Sequence, residues 1–108
     1  MSLCPCPYLG AQVELTEERF DHIARKHPEL IPGRVDLIQS TLAEPDCVVR
    51  SRRMPNARLF CRWYNDLDGG KQAVVFVVSD PGPELRHWII TAYLASKVVQ
   101  GDVEWART

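Results

Sequence analysis

The sequence has no apolar stretch near the roughly 20 residues needed to cross a bilayer. Its longest, Ala73–Val78, has only the length of a strand, so no membrane is expected among its partners. The start, Met1-Ser2-Leu3-Cys4-Pro5-Cys6-Pro7, lacks the basic residues and apolar core of a signal peptide, which makes the cytoplasm the expected setting. Metal spacing is also missing. Of the four cysteines, Cys4 and Cys6 form a C-x-C, neither a redox C-x-x-C nor a zinc-knuckle pair. Cys47 and Cys61 lie in apolar surroundings, where a free thiol behaves as a small hydrophobe. No metal and no cofactor are therefore expected. Internal repeats and low-complexity segments are absent too, and a net charge of −1 argues against a protein that tracks nucleic acid with its whole surface.

What is present fits one domain. A chain of 108 residues, 45% hydrophobic and 25% charged, can bury a single core without staples. Residues 1–11 are expected to form a flexible tail, and residues 12–108 the domain. Gln12-Val13-Glu14-Leu15 alternates like a short strand. Thr16 reads as an N-cap followed by Glu17 and Glu18 in the first turn, where the helix dipole favours acids. Phe20, Ile23, Ala24 and His27 recur at helical spacing, and Pro28 ends the helix at His27. Val35, Leu37, Ile38 and Leu42 predict a second short helix before Pro45. Short β-rich segments follow: Cys47-Val48-Val49, Leu59 to Tyr64, Ala73 to Val78 and His87 to Leu94, separated by Asp/Gly/Pro turns. Helices first and an antiparallel meander after make an α+β fold.

Candidate chemistry sits in three places. Arg50, Arg52, Arg53, Arg58 and Arg62 follow one another with no acid among them; they form either a local anion patch or a solvated loop. Strict alternation along the last strand points His87, Ile89, Thr91 and Tyr93 to one face. If Arg62 and Tyr64 share that face, the sheet presents a guanidinium, phenols and a hydroxyl suited to a phosphodiester; the alternative is a solvated face with aromatic cross-strand pairs. On the first helix His22 and His27 lie roughly 140° apart, so they do not make a shared metal face. His22 groups with Arg19, Arg25 and Lys26, and His27 ends the buried stripe; each also has an ordinary reading, as a surface and a capping histidine. These residue types suffice for cleavage of RNA by its own 2′-hydroxyl, which needs a base, an acid and cations for the phosphate.

The segments "LTEERFDHIARKHPEL", "EPDCVV", "LFCRWY", "KQAVVFVV" and "IITAYLASKV" resemble the barnase–EndoU–colicin–RelE-like nuclease superfamily, in its phage-associated branch. The resemblance runs from about Val13 to Trp105, and its most specific pieces are "HIARKHPE" and "ITAYLASK". It implies two N-terminal helices packed on a four-stranded antiparallel sheet and metal-independent endoribonuclease activity of the toxin type. Carried over by position, His22, His27, Arg25, Lys26, Thr91 and Tyr93 match the catalytic cluster. Arg62 matches more loosely, and Tyr64, Arg52, Arg53 and His87 join it as expected substrate contacts. RNA is the expected substrate and an antitoxin or immunity protein the expected partner. A non-catalytic module binding RNA or protein through the same basic face remains the alternative, and a homodimer stays open.

Overall fold

The computed structural model describes residues 2–67, 69–97 and 101–107. The N-terminal strand β1 (Ser2–Cys6) returns through a tight turn as β2 (Ala11–Leu15), and two helices follow, α1 (Glu17–Lys26) and α2 (Val35–Ala43). The rest is strand: β3 (Cys47–Arg50), β4 (Ala57–Tyr64), β5 (Lys71–Asp80), β6 (Arg86–Ala95) and β7 (Asp102–Ala106). All seven belong to one sheet in the order β1-β2-β6-β5-β4-β3-β7. Every pairing is antiparallel except β2 with β6.

This overturns the expected four-stranded sheet. The run β3–β4–β5–β6 is there, but it is the middle of a seven-stranded mixed sheet: β7 extends it at one side, and β2 with β1 at the other. A parallel partner and a strand recruited from the far end of the chain are long-range events, which local alternation does not encode. The expected tail is also corrected: Ser2–Cys6 pairs residue by residue with Ala11–Leu15, and Cys4 and Cys6 are buried. Asp68, in the connector after β4, and Val98, in the last of the resembling segments, lie outside the described residues.

Helix α1 forms where its caps place it. The Thr16 hydroxyl accepts from the Arg19 backbone N–H at 3.2 Å, Glu17 and Glu18 sit at the positive end, and Arg25 and Lys26 at the negative end. His27 is the C-cap, donating its backbone N–H to the Ile23 carbonyl at 2.6 Å. Ile23 is fully buried, with Phe20 and Ala24 packed beside it. Because β2 meets β6 only at Glu14↔Trp88, most of the outer edge of β6 has no strand beside it. Helix α1 packs along it, and Arg19 Nη1 donates to the Ile90 carbonyl at 3.3 Å.

Helix α2 is seated by side chains from β4. The Tyr64 hydroxyl and Thr41 Oγ1 share a hydrogen bond of 3.1 Å, and Thr41 also donates to the Leu37 carbonyl. Arg62 Nη1 donates to the Glu44 carbonyl at 3.3 Å, bringing a cation to the negative end of the helix. The main core lies between the helices and the sheet, where Phe60, Val75, Ile89 and Ala92 meet Ile23, Ile38 and Leu42. A smaller cluster of Val49, Leu59, Cys61 and Val74 fills the opposite face. There Gly101 lies so close to Val49 that any Cβ would collide with its Cγ1.

Candidate active site at the end of the first helix

A β-bulge decides what shares a face. Phe76 pairs with Thr91 and Val77 with Ile89, so Ile90 is an extra residue in β6 and the alternation inverts across it. His87, Ile89, Ala92 and Leu94 consequently face the helices. Thr91 and Tyr93 face the other way, beside Phe76 and Val74. The expectation of one face for His87, Thr91 and Tyr93 is corrected, because strict alternation holds only where no residue is inserted.

The same register separates the expected platform. Arg62 and Tyr64 pair with Ala73 and Lys71 on the helix side, and both are engaged in holding α2. The Arg62 guanidinium lies over the Tyr64 ring, 5.3 Å from its centroid. They do not join Thr91 and Tyr93.

The arginine run meets its counter-charges across the sheet. Arg50 and Arg58 each reach Glu104 at 2.6 Å, and Arg52 reaches Asp102 at 3.1 Å. The Tyr8 hydroxyl donates to the same Glu104 at 2.8 Å. Burial works against the Glu104 charge, but Arg58, Tyr8 and Arg50 outweigh it and hold the carboxyl down at about 2. Arg53 alone of these, among the described residues, is exposed and without an ion pair. The acids they meet stand 46 to 54 residues further along the chain, so their pairing with β7 was invisible in the sequence.

His87 is 6% exposed, and its Nδ1 shares a hydrogen bond of 2.6 Å with Ser79 Oγ. Its Nε2 is buried without a partner. Burial first, and then the Arg58 charge, push its pKa below the ordinary 6.5. The neutral ring therefore belongs to the folded state, and stability falls as pH drops below about 6.5, where the unfolded chain binds the proton more readily. His87→Leu should flatten that fall. Urea midpoints at several pH values between 7 and 5 measure it, and identical slopes for the two proteins would sink the assignment.

His27 does meet β6. Its ring centroid is 5.9 Å from that of Tyr93, tilted by 36°, so the end of α1 and the edge of β6 form two sides of one gap. Glu29 Oε1 lies 3.4 Å from His27 Nδ1, which brings a carboxylate beside the ring nitrogen without a hydrogen bond between them. Arg25 and Lys26 are exposed in the turn before, with no partner among the described residues, and Thr91 is half-buried two residues from Tyr93. Burial raises the Tyr93 phenol above its usual range, so it is held as an O–H donor. His22 is half-buried farther back on α1 and makes no hydrogen bond or ion pair among the described residues.

Beside this gap opens a cleft of about 470 Å³, floored by Leu37, Leu67 and Leu94 and rimmed by Glu29, Arg34, Asp66 and Lys71. Glu29 thus belongs both to the cleft and to His27. It was missed in the sequence, where its only signal is a position just past the helix-ending Pro28. No three His, Cys, Asp or Glu side chains among the described residues converge as metal ligands, and no described helix is long and apolar enough to cross a membrane. Comparison of the chain with family models, curated proteins and solved structures gave no match.

Proposed function

We propose that this chain is a metal-independent endoribonuclease of the toxin type, working in the cytoplasm, with its active site in the gap between His27 and Tyr93. The observation that carries the reading is the imidazole set against a phenol, with a carboxylate 3.4 Å from Nδ1 and two cations in the preceding turn that have no partner among the described residues. In cleavage by transesterification the 2′-oxygen attacks the phosphorus, the 5′-oxygen leaves, and a cyclic phosphate remains. A histidine can take the first proton or supply the last one near neutral pH. His27 Nε2 is assigned that proton transfer, with Glu29 on the Nδ1 side of the ring. Arg25 and Lys26 neutralise the phosphate, and Tyr93 and Thr91 donate to its oxygens as charge builds. The leucine-floored cleft has room for the nucleoside on one side of the scissile bond. Arg52, Arg62, Tyr64 and His87 drop out of the substrate contacts because each is already engaged in the fold. An antitoxin would act by covering the gap.

The test is incubation of the purified protein with RNA in EDTA. Cleavage that persists and leaves 2′,3′-cyclic phosphate ends supports the reading. Tight RNA binding with no cleavage would replace it with a binding module.

A further inference from the structure

Cys47 and Cys61 are direct partners across the antiparallel β3–β4 ladder. Side chains at facing positions project to the same side, and both thiols join the small apolar cluster on the helix-free face. Facing residues in such a ladder have Cα atoms about 4.5–5.5 Å apart, inside the roughly 4.4–6.8 Å span that a disulfide bridges. The Cys61 thiol donates to the Leu59 carbonyl at 3.7 Å, within its own strand. Their exposures differ in a useful way: Cys61 is buried, whereas Cys47 is half-buried at the strand end.

Cys4 and Cys6 provide the contrast. They are also neighbours, but along one strand, so their Cβ atoms point the same way and stand about 6.5 Å apart. A disulfide needs roughly 3.5–4.5 Å between Cβ atoms. Proximity in sequence does not make that pair bridgeable, and both are fully buried.

We propose that Cys47 and Cys61 form a two-electron redox site that a hydroperoxide closes to a cross-strand disulfide. The Cys47 thiolate attacks the terminal peroxide oxygen, the O–O bond breaks, and water or an alcohol leaves once protonated. Cys47 is now a sulfenic acid. The Cys61 thiolate attacks that sulfur, the S–O bond breaks, and hydroxide departs with a proton as water. Two thiols and one hydroperoxide thus give one disulfide, one water and one alcohol or second water. A dithiol reductant reverses it. The thiol pair adjoins the nuclease reading, since Tyr93 packs against the same cluster, but peptide mapping of the thiols tests it without RNA.

Burial raises both thiols above the ordinary range, so the reaction is slow at neutral pH. Its rate should climb about tenfold per pH unit while the thiol form dominates.

The test treats the folded, reduced protein with hydrogen peroxide and maps its peptides by mass. The expected product has lost two hydrogens and links the peptides carrying Cys47 and Cys61, with Cys4 and Cys6 unmodified and dithiothreitol restoring the starting mass. Cys61→Ser should form no disulfide and should accumulate a Cys47 sulfenic acid trapped by dimedone; Cys61→Ala, which keeps the buried site apolar, repeats the measurement if the serine variant unfolds. A Cys4–Cys6 linkage, a Cys47 that stays unmodified by excess peroxide even after prolonged incubation at alkaline pH, where the protein remains folded, or the same products with and without Cys61 would overturn the proposal.

Discussion

Replacing His27 by alanine is expected to lower RNA cleavage by about 10²–10⁴-fold, the usual contribution of a positioned general acid or base, with His22→Ala staying within about threefold of the parent on the same assumption. The three histidines differ in what surrounds them. His87 has Nε2 enclosed on the helix side of the sheet, and His22 has no orienting partner among the described residues. Only His27 has a carboxylate beside Nδ1 and an aromatic wall. The alanine variant should fold, because the capping bond to Ile23 comes from the backbone and the side chain is 32% exposed. Glu29→Gln should retain more activity than His27→Ala, since it removes a neighbouring charge and leaves the imidazole in place. Initial rates on a fluorescent oligonucleotide measure all three. Loss of cleavage in the His22 variant with a fully active His27 variant would move the site off the helix end.

Glu104→Gln is expected to cost about 1–2 kcal/mol of stability at neutral pH. Arg58, Tyr8 and Arg50 hold the carboxyl down at about 2 against an ordinary 4.5, but β7 is exposed, and solvent screening takes back a good part of what that shift would be worth in a buried pair. Arg58 and Glu104 side chains are each only 21% exposed, so solvent screens their pair less than a surface contact. Because the folded pKa is depressed, this stability is fully present above 4.5 and disappears as pH falls through about 2. Chemical denaturation from pH 7 to pH 2 should show that limb in the parent and lose most of it in the variant. Two acid curves falling in parallel would mean that Glu104 is not the group responsible.

The parts of this molecule that were legible in the sequence are those decided by near neighbours. Thr16 caps the first helix, Pro28 stops it at His27, and Ala73–Val78 is apolar on both faces because it is an inner strand. What stayed hidden was decided at a distance. Ile90 looks like any strand residue, yet its insertion opposite Phe76/Val77 turns His87 away from Tyr93. Asp102 and Glu104 gave no sign that β7 would cross to Arg50, Arg52 and Arg58 and neutralise them. Ser2–Cys6 reads as a loose proline-bearing end because a strand formed by pairing with a neighbour needs little propensity of its own. Of the candidate site, the meeting of His27 with Tyr93 was foreseeable as a question. The role of Glu29 and the adjoining cleft required the path of the chain after Pro28.

The single parallel bridge between Glu14 and Trp88 has a consequence for motion. The β1–β2 hairpin has that one backbone pairing to the rest of the sheet, with the Arg86–Glu14 clamp and the Tyr8–Glu104 bond, each 2.8 Å, beside it, whereas β4, β5 and β6 are laced along eight residues or more. Amide hydrogens of β1 and β2 should therefore exchange with deuterium through a partial opening, while those of β5 wait for global unfolding. Helix α1 follows β2 with only Thr16 between them, so the helix that carries His27 begins at the least-laced seam of the sheet, and exchange in its first turn should rise with that of β2.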